Sequence, residues 1–413
     1  MSPSTRTEPD TGRRIIVADT VVAGGRILRP GWLILTGGRV AGSGQGRPPH
    51  PLSAARGDVD LGAATVVPGF VDLHVHGGGG GSFGTDPEAG ARAVDFHRRH
   101  GTTTMLGSLV TASPGDLLDA VSAQAELVED GLLAGTHLEG PWLSRHRCGA
   151  HRVDQLRDPD AAELTRVLAV GRGTIRMVTV APERSGGLDA VAALSDAGVL
   201  AAVGHTDGGY EVTRRAIGAG ARVATHLFNA MRPVHHREPG PIVALTEDDR
   251  VALELVLDGQ HVHPAIYRQV EGSVGLDRTV LVTDAMAAAG MADGSYRLGD
   301  LAVDVRDRVA RLAGRDTIAG STATMDVQFA NAIRFGAGAP DERLLAAVRQ
   351  TSANPARLLG PTAERLGIGD LGIGHRADLV ALDPHGQVSA VLVAGEHLPG
   401  VADRDDFAIR CGR

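Results

Sequence analysis

Eight short β-branched runs recur along the middle of this 413-residue chain, and six of them end on a histidine or an acidic residue. The runs are Phe70–His76, Thr104–Val110, Gly135–Glu139, Ile175–Pro182, Leu200–His205, Arg222–His226, Ala252–Asp258 and Thr279–Asp284. Between most of them lie stretches rich in Ala, Leu and Arg with helical spacing, such as Pro87–His100 and Pro114–Asp130. Strands alternating with helices call for a parallel sheet with helical crossovers. Eight such units fit a closed (β/α)8 barrel, an α/β fold, better than an open sheet. In a barrel the C-terminal ends of all strands meet at one mouth, where active sites sit. His76, Glu139, His205, His226 and Asp284, remote in sequence, are therefore expected to converge.

The flanks read differently. Residues 13–67 and 362–413 carry short strand-like pieces with turn signals, such as Thr36-Gly37-Gly38-Arg39 and Ala377–Leu382. They are expected to pair into one small β-sandwich domain built from both ends of the chain. Residues 68–361 then form the catalytic barrel, and residues 1–12 a disordered tail. Leu298–Ile318 reads as a hairpin excursion, and Thr322–Phe335 and Asp341–Leu359 as helices that close the barrel. The Gly77–Gly81 run lacks dinucleotide-binding spacing and reads as a flexible loop at the mouth.

Composition mainly excludes. With 43% hydrophobic and 22% charged residues the chain can bury a large core. A net charge of -8 without blocks of like charge gives no reason to expect nucleic acid or a membrane as partner. Two cysteines, Cys148 and Cys411, are too few for a disulfide framework or a thiolate zinc site. Met1–Arg14 has no signal-peptide core, and no apolar run is long enough to span a bilayer, so a cytoplasmic protein is expected. All 41 basic residues are arginine. The absence of lysine rules out a Walker-type phosphate lysine, a Schiff base, a lysine general base and a carbamylated lysine bridging two metals.

Chemistry gathers at the strand ends. In His74-Val75-His76 both imidazoles share one face of a strand and point into the barrel. Imidazole suits zinc and its neighbours, although two histidines could also bond within the barrel. Glu139 could bridge two cations or cap the following helix. His137 shares its parity and is expected to support that carboxylate. His205 and His226 close consecutive runs before polar loops. Asp284 is placed to take a proton from water and return it to a leaving nitrogen, or else to cap a helix. A dication lowers the pKa of bound water from 15.7 to about 7, which completes the parts needed for metal-assisted hydrolysis.

From about Val67 to Asp383 these segments resemble the amidohydrolase superfamily and, within it, the N-acetylglucosamine-6-phosphate deacetylases. The resemblance rests on Pro68–His76, His137-Leu138-Glu139-Gly140-Pro141-Trp142, Gly204-His205-Thr206, Thr225–Met231 and Val282-Thr283-Asp284-Ala285. Asn354-Pro355-Ala356-Arg357 and Gly374–Val380 resemble the superfamily's closing signatures. It implies that Glu139, His205 and His226 hold a principal divalent metal and that Asp284 is the acid/base. Because His74 and His76 are both present, a second metal bridged by Glu139 is expected. Zinc is the expected ion, with iron, manganese or cobalt compatible with the same ligands. The resemblance further implies substrate contacts at Ala150, His151, Asn229, Ala230, His261, Ile318, Ala319 and Gly320, with His151 polarising the acetyl carbonyl. It also implies a homodimer in which Arg237 reaches a phosphate across the interface; the alternative for Arg237 is a surface pair with Glu238. The reaction implied is deacetylation of an amino-sugar phosphate, N-acetylglucosamine 6-phosphate. The rivals are another amidohydrolase, such as a deacetylase for the galacto isomer, and a non-catalytic sugar-phosphate sensor.

Overall fold

The computed structural model describes residues 12–399; all of the expected tail but Gly12, together with Cys411, lies outside this range. The chain divides into two compact units, one comprising residues before Phe70 and after Thr362, the other Phe70–Thr362.

The larger unit holds eight parallel strands. They are β1 (Phe70–Val75), β2 (Thr102–Leu109), β3 (Gly135–Glu139), β4 (Ile175–Val180), β5 (Leu200–Val203), β6 (Ala221–Ala224), β7 (Ala252–Leu255) and β8 (Thr279–Leu281). They pair in sequence order. The ring is closed between its first and last strands just past β8, where Val75 bridges Ala285 in parallel and the Asp284 N–H donates to the His74 carbonyl at 2.8 Å. Nearly every strand residue is buried, as expected when side chains fill the barrel on one face and meet helices on the other.

Each strand is followed by a helix: α1 (Pro87–Arg99), α2 (Pro114–Glu129), α3 (Ala161–Val170), α4 (Gly187–Asp196), α5 (Tyr210–Ala219), α6 (Gly240–Glu247), α7 (Pro264–Val274) and α8 (Met325–Phe335). Their starts are written locally. Asp86, Ser113 and Asp160 each accept a backbone N–H at the head of α1, α2 and α3, and Pro87 and Pro114 open the first two. Between β8 and α8 the chain makes a three-stranded antiparallel excursion, Gly294–Leu298, Leu301–Arg306 and Val309–Leu312. The expected helix Asp341–Leu359 is instead two helices, Pro340–Val348 and Asn354–Leu358, around a π turn at Arg349–Ala353. Here the Thr351 hydroxyl donates to the Ala347 carbonyl at 2.7 Å and competes for the acceptor that a regular turn would use.

The smaller unit is two sheets around one apolar core. One is four-stranded, in the order 39–45, 31–36, 14–18, 59–60; the other is six-stranded, in the order 396–397, 388–393, 379–382, 65–68, 20–23, 26–28. Leu33, Leu35, Val21, Val66, Leu379 and Ala381 are among the residues that fill the space between them.

The Gly77–Gly81 run is a tight antiparallel turn, not an open loop: Gly77 and Gly78 pair back with Ser82 and Gly81. A Cβ on Gly77 would sit 2.3 Å from the Gly81 carbonyl oxygen, and one on Gly81 would sit 2.2 Å from that of Ala89 in α1. Gly77 and Gly81 are there because two backbones approach closer than any side chain allows.

Candidate active site

Strand pairing stops one to three residues short of four of the five residues expected to converge. His76 follows β1 directly, His205 and His226 come two residues after β5 and β6, and Asp284 comes three after β8. The last three hold left-handed backbone, with φ of 46°, 28° and 49°. For residues with a Cβ this costs roughly 1–2 kcal/mol each. The surroundings fix the strain. The His226 N–H points at Glu254 Oε2 at 3.3 Å, the Ser321 N–H donates to the Asp284 carbonyl at 2.7 Å, and the Ser144 N–H donates to the His205 carbonyl at 2.9 Å.

The side chains meet. His205 Nε2 and His226 Nε2 each lie 2.9 Å from Glu139 Oε1 and 3.1 Å from one another. On the other side His76 Nε2 lies 3.1 Å from Glu139 Oε2 and 3.1 Å from His74 Nε2. Asp284 Oδ1 is 3.3 Å from His76 Nε2 and 3.5 Å from His74 Nε2. One carboxylate thus faces His205 and His226 with one oxygen and His76 with the other, while His74 Nε2 stands 3.6 Å from the first. Ligands at tetrahedral angles around a zinc ion lie about 3.3 Å apart, so both spacings suit a dication. All of these side chains are buried.

A fifth imidazole joins them. His151 Nε2 lies 3.3 Å from Glu139 Oε2, and its ring stands edge-on to that of His205 with centroids 4.6 Å apart. Its Nδ1 meets the Thr111 hydroxyl at 2.9 Å and accepts the Thr111 N–H at 3.4 Å. An acceptor at Nδ1 leaves the proton of a neutral ring on Nε2, facing the cluster.

Beneath lies a layer of hydrogen bonds. The Val75 N–H donates to Ser108 Oγ, which meets His137 Nδ1 at 2.9 Å; His137 Nε2 meets Thr179 Oγ1 at 2.9 Å, and Thr179 meets Thr225 at 2.8 Å. His137 therefore does not support Glu139, as its parity suggested, but bridges β2 and β4 in a chain that runs from Val75 of β1 to Thr225, just past β6. Asp72, two residues before His74, accepts the Thr283 hydroxyl at 2.5 Å and the N–H groups of His74 and Thr283 at 3.2 Å. This fastens β1 to the segment that carries Asp284.

Electrostatics follow from burial against this crowd of carboxylates. Burial works against the imidazolium of His76, but hydrogen bonds to Asp284 and Glu139 outweigh it and push the ring up to about 9. His74 is raised in the same way, against its own burial, by Asp284, Glu139 and Glu254. Burial opposes ionisation of Glu139 and Asp284 too, yet the surrounding imidazoles hold both below the usual carboxylate range. Burial pushes Asp72 up to about 7, and burial together with neighbouring His74 drives His137 far down. The cluster calls for positive charge, which protons on His74 and His76 would supply and a dication would supply in their place.

A cavity of about 370 Å³ opens over the cluster. His76, Glu139, His205, His226 and Asp284 form its base, and Ala150, His151, Asn229, Ala230, His261, Ile318 and Gly320 line its walls. His261 is fixed by Asp258, whose carboxylate takes its N–H and meets its Nδ1, both at 2.8 Å. Its neighbour His263 is outside, capping α7. Ala319 is not on the cavity wall; its side chain packs into the apolar cluster under the three-stranded excursion. Nor is Arg237, which lies in an exposed loop with its guanidinium 2.7 Å from His236 Nε2, while Glu238 is paired with Arg232. Sequence reasoning passed over Thr111, Ser108 and Glu254. Glu254 alone carried a signal, an acid inside the apolar run Val251–Leu257.

Known proteins extend this picture. The amidohydrolase family profile matches residues 65–398. An N-acetyl-D-glucosamine-6-phosphate deacetylase from Mycobacterium smegmatis, solved with N-acetyl-D-glucosamine-6-phosphate, is 56% identical with a TM-score of 0.90, covering 93% of this chain and 99% of that one. The human N-acetylglucosamine-6-phosphate deacetylase is 34% identical over 93% of this chain and 92% of its own length. An N-acetylgalactosamine-6-phosphate deacetylase of Escherichia coli O157:H7 is 35% identical over 84% of this chain and 90% of its own. Five imidazoles and two carboxylates at the mouth of a (β/α)8 barrel, within a sequence matched almost end to end, make this chain a member of the amidohydrolase family.

Proposed function

We propose that this chain hydrolyses the acetamide of N-acetyl-D-glucosamine 6-phosphate, releasing D-glucosamine 6-phosphate and acetate, as a metal-dependent enzyme of amino-sugar metabolism. The observation that carries the reading is the Glu139 carboxylate with His205 and His226 on one oxygen, His76 on the other, and Asp284 beside them.

Glu139, His205 and His226 would hold the principal ion, and His74, His76 and Glu139 a further one. A bound dication supplies water acidic enough to ionise near neutral pH and polarises the carbonyl under attack. The chain's own residues do the rest. Asp284, ionised and aimed into the cavity, takes a proton at Oδ1 from the attacking water and hands it to the departing amine, which leaves poorly without it. His151, with its Nε2 proton facing the cluster, donates to the carbonyl oxygen as negative charge builds there. Asn229, Ala230 and His261 on the cavity wall hold the sugar phosphate.

Arg237 stands outside the cavity wall of its own chain, and we read it as a phosphate ligand lent to a second copy. Its planar fork of donors suits that anion. A homodimer follows from this reading.

The test is acetate release from a panel: N-acetylglucosamine 6-phosphate, its galacto isomer and the unphosphorylated sugars. The reading expects turnover to be fastest on the first and to fall at least tenfold without the phosphate. Faster turnover of the galacto isomer would move the substrate. Absence of hydrolysis by metal-loaded protein, with sugar phosphate still bound, would make the chain a sensor.

A further inference from the structure

Glu254 sits in the middle of β7, fully buried, with its side chain inside the barrel. Such a carboxylate is costly unless something compensates for it. Its Oε1 has no hydrogen-bond partner among the described residues. Its Oε2 has two neighbours, His74 Nδ1 at 3.4 Å and the His226 N–H at 3.3 Å. Its backbone carbonyl also accepts the Leu227 N–H at 2.8 Å. One residue therefore touches a side chain from one half of the cluster and the strained backbone of the other half.

An imidazole next to a carboxylate keeps its proton on the nitrogen facing it, because the carboxylate can only accept. At His74 this places the proton on Nδ1 and leaves the Nε2 lone pair directed at His76 and Glu139. Among the described residues no arginine ion pair reaches Glu254. We propose that Glu254 is the positioning residue of the His74–His76 half of the site: it selects the His74 tautomer able to bind a cation and supplies negative charge that the cation offsets. This rests on the metal-dependent reading above. It adds that the second ion is held by a buried acid that does not touch it.

The experiment is metal per chain by elemental analysis after dialysis against graded zinc or manganese, on wild type, Glu254→Gln and His74→Ala. Gln keeps the volume but removes the charge, and since both contacts fall on one atom it must either leave an uncharged oxygen facing His74 or turn its NH2 donor to His74 and lose the His226 N–H. Wild type should hold two ions. Glu254→Gln should keep the first and bind the second roughly 10- to 100-fold more weakly, the usual effect of losing an outer partner of a ligand. His74→Ala should lose the second outright. With manganese, the exchange-coupled signal of an ion pair should give way to that of an isolated ion in both variants. Thermal melts show that the variants are folded, and Glu254→Asp should recover part of the second-site affinity.

Two ions in Glu254→Gln with wild-type affinity would overturn the proposal. So would a single ion in wild type. No ion in wild type would instead remove the metal-dependent reading itself.

Discussion

Asp284 is where a single side chain has the largest consequence. Its carboxylate is ionised at neutral pH, it contacts His76, and its backbone is anchored on both sides. Asp284→Asn keeps the shape but cannot carry a proton, so kcat should fall by about 10²–10⁴-fold while the ion at Glu139, His205 and His226 stays bound. Single-turnover acetate release and elemental analysis on the same sample check both halves. His97 makes a different prediction. It is buried in α1, its Nε2 donates to the Gly77 carbonyl at 2.9 Å, and burial drives its pKa down to about 4 from 6.5. The folded state therefore prefers the neutral ring. Its contribution is whole above pH 6.5 and is lost as the pH falls through 4, about 3 kcal/mol in all. Urea unfolding of chelated protein across this window should show a shallower loss in His97→Gln than in wild type. At this scale the sequence was legible where chemistry has a spacing, as in His74-Val75-His76. It was silent on the positive φ of His205, His226 and Asp284, since no residue preference marks a bend forced by its neighbours.

Elements were easier to read than their ends. The alternation of apolar strand and helix-spaced stretch places all eight strands within a few residues, because burial on both faces and helical periodicity are local signals. The glycine run failed that logic, since its meaning lies in contacts remote in sequence. Gly77→Ala would push a methyl group against backbone that cannot yield, and should cost about 2–3 kcal/mol or more. Gly80→Ala, three residues on, meets nothing closer than 3.7 Å and bears only its φ of 79°, a penalty of about 1–2 kcal/mol. Comparing the two melting temperatures separates crowding from conformation. The π turn was missed for a related reason: Thr351 disturbs the helix through its own hydroxyl, which the hydrophobic period does not reveal.

For the whole molecule, assembly is the property sequence and fold reach least directly. If Arg237 serves the neighbouring copy, Arg237→Ala and Asp284→Asn chains should each be nearly inactive alone. Co-expressed, they should form mixed dimers in which one site is intact, restoring about a quarter of wild-type activity. No recovery would return Arg237 to its own surface loop. Among the described residues no helix is long and apolar enough to cross a membrane.

The six-stranded sheet of the smaller unit has a consequence in time. Its strand 379–382 lies between 65–68 and 388–393, so the early strand has no neighbour on that side until the late one arrives. Roughly 300 residues of translation separate the two, about 15–60 s at ordinary ribosome speeds. Throughout that interval Val66 and Val67 wait on an open edge. A nascent chain halted before Leu379 should bind holdase chaperones and aggregate when released, whereas one released after Val393 should not.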